Sequence, residues 1–230
     1  MPAAASLDLL DNIVWHSLSG PQRRFAAGSE TARRYARGLS PLTGFADPAR
    51  PDFDALAAHA DIGEHLFCGA WTGAPPAGWR VDAEVPAVQM VWNGGVPEDD
   101  AAPHAIALTD AHVDAMLELV ALTQPGPFGP RTIELGDYFG VFEDGKLVAM
   151  AGERMEAGCL REISGVCTRP EAQGRGLARG LMHRLIRLQI GRGLVPFLHV
   201  MSFNTRALEL YERMGFGRHR ELLMRIVCRE

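Results

Sequence analysis

Apolar residues recur along this chain with two periods, and the switches between them mark its elements. Residues 7–18, 30–37 and 52–59 carry helical spacing. Residues 65–71 and 80–92 carry the spacing of strands, with Pro86 predicting that the second is interrupted or lies at an edge. After residue 103 the order becomes regular. A short strand (104–108) precedes a helix that Asp110 starts as N-cap, with Val113, Met116, Leu117 and Val120 on one face. The proline- and glycine-rich stretch 123–130 ends it. Residues 138–142 and 147–155 form a hairpin across Glu143-Asp-Gly-Lys146, followed by a strand at 160–168. A helix at 176–191 aligns Leu177, Leu181, Leu185 and Leu188, with Arg184 and Arg187 elsewhere. Then come a strand at 195–201, a helix at 204–214 closed by Gly215 and a strand at 222–227. The order β-α-β-β-β-α-β-α-β predicts an α/β fold on a mixed sheet, preceded by an N-terminal α/β extension.

The stretch 93–103, rich in Pro, Gly and acidic residues, is the predicted linker between regions 1–95 and 104–230. At 230 residues and 47% hydrophobic composition, the chain has enough apolar material for one large domain or two small ones. No run of about twenty apolar residues predicts a membrane span, and the first residues lack the charge and apolar stretch of a signal peptide. Four scattered cysteines without metal-ligand spacing suggest reduced thiols in a cytoplasmic protein. The histidines show no metal-binding grouping, so no metal is expected. A net charge of −5 disfavours nucleic-acid binding. The charge is also uneven: from Leu160 onward thirteen Arg face six carboxylates, a balance of +7 that leaves −12 for the first 159 residues. A basic C-terminal half suits a polyanionic ligand.

The most informative segment is 166–178, where an apolar strand passes through Pro170 and a glycine-rich turn into a helix. A helix start of this kind presents unpaired N–H groups and partial positive charge, which suits a phosphate. Gly174 and Gly176 permit positive φ and close approach of a ligand. The dinucleotide fingerprint fails because Arg179 stands at the third glycine position. The Walker pattern fails because Lys146 is the only lysine. Gln173-x-x-Gly176-x-Ala178 resembles the Q/R-x-x-G-x-G/A signature of the GNAT superfamily of N-acetyltransferases. Asn204, Ala207, Tyr211 and the pair Gly215-Phe216 follow in the order that family shows. The resemblance runs from about His104 to the C-terminus. It implies acetyl-CoA as acyl donor, with its pyrophosphate on Gln173, Gly174, Arg175, Gly176, Leu177 and Ala178. It also implies pantetheine paired to backbone groups of Val166 and Thr168, with Asn204 either contacting that arm or capping its helix. Region 1–95 is then either a cap that helps to build the acceptor pocket or a degenerate GNAT-like half.

The implied chemistry is direct transfer of an acetyl group to a primary amine of a small molecule or amino acid. Neutralising an amine of pKa about 10.4 at pH 7 costs roughly 4–5 kcal/mol, so a base is expected. Glu162, on the strand where the family often places its base, is the first candidate, then Glu153, then His199. The structural alternative for each carboxylate is an ion pair with Arg154 or Arg161. Tyr211 matches the tyrosine that the family sets against the departing sulfur. Cys167 would point away from a cofactor paired with its neighbours. Glu134 and Asp137 near the predicted acceptor loop 123–137 would suit a cationic amine. A non-catalytic acyl-CoA-binding module is the alternative, and homodimerisation, common in the family, is left open.

Overall fold

A computed structural model describes residues 4–98 and 102–230, so part of the expected linker lies outside the described residues. Among the described residues eleven strands form one sheet. Region 1–95 contributes β1 (Ala26–Gly28), β2 (Ala32–Tyr35), β3 (Leu42–Phe45), β4 (His65–Cys68) and β5 (Trp79–Trp92). The remainder contributes β6 (Ile106–Ala107), β7 (Tyr138–Glu143), β8 (Lys146–Ala157), β9 (Leu160–Thr168), β10 (Val195–Met201) and β11 (Phe216–Arg229). The helices are α1 (Ile13–Ser19), α2 (Phe53–Ala57), α3 (Val113–Thr123), α4 (Leu177–Gly191) and α5 (Thr205–Met214). The spatial order is β1-β2-β3-β4-β11-β5-β10-β9-β8-β7-β6. β5 therefore sits between two strands from the other side of the expected linker, and a single sheet crosses that boundary. Pro86 is accommodated because β10 pairs with β5 only from Ala87 to Val91, while β11 pairs along the whole of β5. Its missing N–H falls where β5 has lost one neighbour.

The two faces of the sheet carry separate cores, as alternation along each strand requires. On one face Leu181, Met182, Leu185 and Ile186 of α4 pack on Ala149, Ala151, Ile163 and Leu198, joined by Leu208 of α5. On the other, Met116 and Leu119 of α3 cover Met150 and Cys167, and α1 covers Met155, Leu160 and Phe197. Around α2, Phe53 packs against Phe45, Trp71 and Trp79.

Two expectations in the N-terminal region are corrected. Residues 30–37 are not helical; their centre is β2, paired on both sides, with Ala32 and Tyr35 fully buried. Ala and Arg favour helix intrinsically, but burial and pairing between two strands outweigh that local preference. Residues 7–18 do not form one helix: a 3-10 segment runs to Asn12, whose amide donates to the Phe45 carbonyl (2.8 Å), and α1 begins after it. Downstream, Thr109 rather than Asp110 caps the turn leading into α3, with His112 completing a capping box.

Candidate active site

β9 and β10 run parallel through only three paired positions, Leu160 with Val195, Pro196 with Arg161 and Phe197 with Glu162. Beyond Glu162 they part. Residues 163–168 keep β8 on one side, across a bulge opposite Ala151, and turn their other edge to a cavity of about 1080 Å³. Val166 and Thr168 border that cavity.

At the end of β9 a short turn led by Pro170 passes into Gln173 and the two left-handed glycines, Gly174 (φ 77) and Gly176 (φ 80). Gly176 is the N-cap of α4, so the first amides of that helix point outward at its positive end. A Cβ built on Gly174 meets nothing within 4 Å, so its surroundings are open and the turn itself requires the glycine. Arg179, Arg206 and Arg213 also border the cavity. Arg206 donates to Gln173 Oε1 (3.0 Å), while Arg175 is held by both carboxylate oxygens of Glu143. An open amide-rich turn among arginines fits a diphosphate, and the parted edge of β9 fits the arm of coenzyme A.

Tyr211 of α5 borders the same cavity, its ring against Phe216. Burial, with a smaller contribution from Cys167, pushes its hydroxyl up to about 12. Asn204 borders the cavity and caps α5, accepting from the Ala207 amide (3.2 Å). Cys167, expected to point away from the cofactor, borders the cavity while also packing in the cluster under α3, and burial pushes its thiol up to about 11.

The carboxylate candidates separate. Glu153 lies in a buried network: its oxygens accept from Arg161 (2.9 Å), Gln189 of α4 (2.9 Å) and the Asp137 amide (3.1 Å). It does not border the cavity and is committed to the ion pair that was its structural alternative. Glu162 is also fully buried and accepts both arms of the Arg154 guanidinium (2.7 and 2.8 Å) and the Met155 amide (3.3 Å). Burial opposes its charge, but Arg154, with help from His199, overcomes this and holds the carboxyl at about 2. A carboxylate held that low is a weak base, so Glu162 reaches the cavity only through its neighbour.

That neighbour is His199, whose Nδ1–H donates to Glu162 Oε1 (2.8 Å) and whose side chain, 13% exposed, borders the cavity. Its Nε2 faces the amide nitrogen of Gln89 at 3.1 Å. The Leu10 carbonyl, which accepts from the same nitrogen (3.3 Å), fixes the orientation of that amide and leaves Gln89 Oε1 buried without a partner. Parity explains the grouping: Glu162 and His199 stand on the face opposite α4, at adjacent positions where β9 and β10 begin to part. Gln89 could not be anticipated, because nothing in the chain order foretells that β5 lies beside β10. Of the predicted acceptor segment, Thr123 to Phe128 border the cavity. Glu134 and Asp137 do not: they pair with Arg131 and Arg192. Outside the cavity lining, His65, Asp82 and Cys228 converge within 4.8 Å across β4, β5 and β11, with Asp82 taken up by Arg80.

Residues 113–216 match the acetyltransferase (GNAT) family. The chain is 33% identical over 123 residues to the N-alpha-acetyltransferase RimI of Mycobacterium tuberculosis, covering 50% of this chain and 77% of that protein. A GNAT-family protein of Novosphingobium aromaticivorans superposes with a TM-score of 0.87 at 37% identity over 96% of this chain and 98% of its own. A GCN5-related N-acetyltransferase from Kribbella flavida shares the fold at TM-score 0.58 and 17% identity, over 94% of each chain. The chain belongs to the GNAT family of acetyltransferases. Among the described residues no helix is long and apolar enough to cross a membrane.

Proposed function

We propose that this protein is an acetyl-CoA-dependent N-acetyltransferase that passes the acetyl group directly to a primary amine of a small molecule or amino acid. The observation that carries this reading is the cavity itself. The parted edge of β9, the glycine turn of α4, Tyr211 and the His199–Glu162 pair all border or support one space. Bound acetyl-CoA supplies an activated thioester carbonyl. Gln173 to Ala178 hold its pyrophosphate, and the backbone of Val166 and Thr168 holds its arm. His199 Nε2 takes the proton that the amine sheds as the C–N bond forms, and Glu162 stabilises the imidazolium that results. Taking that proton requires Gln89 to release Nε2, which its amide nitrogen faces at 3.1 Å in the resting site.

Tyr211 acts at the sulfur as the C–S bond breaks. A phenol at about 12 facing a thiol of ordinary pKa near 8.5 would be uphill by roughly 5 kcal/mol for full proton transfer. It therefore donates a hydrogen bond to the departing thiolate, and the proton comes from solvent.

Calorimetric titration of acetyl-CoA into wild type and Gly176→Asp tests this reading. The added carboxylate stands where the pyrophosphate is held. Micromolar binding by wild type, at least tenfold weaker in a folded variant, is expected, with amine-dependent CoA release by wild type. A folded wild type that does not bind acetyl-CoA would sink the reading. Binding without turnover on any amine would leave a non-catalytic acyl-CoA module.

A further inference from the structure

Beyond His199 the cavity continues away from the glycine turn into a part built mostly by region 1–95. Ile13 and Val14 of α1, Leu42 of β3 and Phe67 of β4 face it, with Leu222 and Met224 of the neighbouring strand β11. Phe67, Leu222 and Met224 are only half-buried, so apolar surface remains turned to this space. The charges complete the description. Asp11 is the one carboxylate among the described residues that border the cavity, and Arg220 binds it (2.7 Å). Arg154 is spent on Glu162.

An ammonium ion placed here therefore meets no free counter-charge, and a polycation would also meet the arginines of the donor end. Desolvation in such surroundings favours the neutral amine, which is the reactive form. An apolar body gains by covering the exposed side chains.

We propose that region 1–95 supplies the acceptor chamber, and that the acceptor is a small primary amine carried on an uncharged apolar body, such as an alkyl- or arylalkylamine. This rests on the acetyl-transfer reading above and names its substrate class. The amine nitrogen lies at the His199 end of the chamber, and the apolar body lies against α1, β3, β4 and β11. The new bond joins that nitrogen to the acetyl carbon. The proton goes to His199, and the sulfur leaves as thiolate.

The test has two separate readouts: acetyl-CoA binding by calorimetry, and CoA release with a panel of acceptors. The panel holds 2-phenylethylamine, hexylamine, spermidine, glycine and a short peptide with a free N-terminal alanine. The expected result is a kcat/KM for 2-phenylethylamine and hexylamine about 100-fold above spermidine, glycine and the peptide. Met224→Glu should lower turnover of 2-phenylethylamine at least tenfold, narrow its margin over spermidine, and leave the acetyl-CoA Kd within about twofold. Leu222→Gln serves the same purpose if Met224→Glu does not fold. A wild type that binds acetyl-CoA but prefers spermidine, glycine or the peptide, or accepts none of the panel, overturns the chamber proposal. So does Met224→Glu or Leu222→Gln with an unchanged acceptor ranking. Loss of acetyl-CoA binding by wild type would overturn the parent reading instead.

Discussion

Replacing Glu162 by Gln keeps the shape of the side chain and removes the charge that three groups share. The carboxylate accepts two hydrogen bonds from Arg154, one from the Met155 amide and one from His199. After the substitution the Arg154 guanidinium, itself almost wholly buried, has no counter-ion, and the new NH2 group faces other donors. Breaking a buried ion pair from one side costs about 3–5 kcal/mol. The depressed carboxyl gives an independent figure. A group with an ordinary value of 4.5, held at about 2 when folded, stabilises the protein by roughly 3 kcal/mol at neutral pH. Because its folded value is the lower one, this contribution is complete above about pH 4.5 and is lost as the pH falls toward 2. Urea unfolding at pH 7 should therefore show Glu162→Gln less stable by about 3–5 kcal/mol, with Tm lower by roughly 6–20 °C. The gap to wild type should narrow as the pH is lowered below 4.5. The double variant Arg154→Met, Glu162→Gln should cost less than Glu162→Gln alone, since no bare charge is left inside. A gap under about 0.5 kcal/mol at pH 7, or one unchanged down to pH 3, would refute the buried-pair reasoning.

Tyr211→Phe should lower kcat about 10- to 100-fold and leave the acetyl-CoA Kd within twofold, because it removes one hydrogen bond to a developing charge. Undiminished single-turnover rates would remove Tyr211 from the mechanism. Gly152→Ala places a Cβ 2.1 Å from the buried Tyr138 ring, which has no room to move, and should cost about 3 kcal/mol or more. Gly174→Ala, whose Cβ meets nothing, should cost only about 1 kcal/mol, and thermal melts of the two variants would separate crowding from backbone strain.

What the sequence determined by itself was local. The amphipathic stripe of α4, the hairpin across Glu143–Lys146, the Asn204 cap and the glycine turn before α4 each follow from neighbours within a few residues. They were legible because helical and strand periods and turn chemistry are short-range properties. The resemblance carried by Gln173, Gly176, Ala178 and Tyr211 depended on the same short segments. Tertiary structure decided the rest. That residues 32–35 are a strand follows from the two strands flanking them, which outweigh the helical preference of Ala and Arg. That Glu162 serves His199 while Glu153 serves Arg161 and Gln189 depends on which face of the sheet each occupies, and bulges in β8 and β9 shift that parity. The acceptor half of the cavity was the least legible part. It joins Val14, Leu42 and Phe67 to Met224, residues far apart in sequence that meet only because β4 and β5 pair with β11. Spacing along a chain encodes contacts between near neighbours, whereas the order of strands in a sheet is fixed by burial summed over the whole fold.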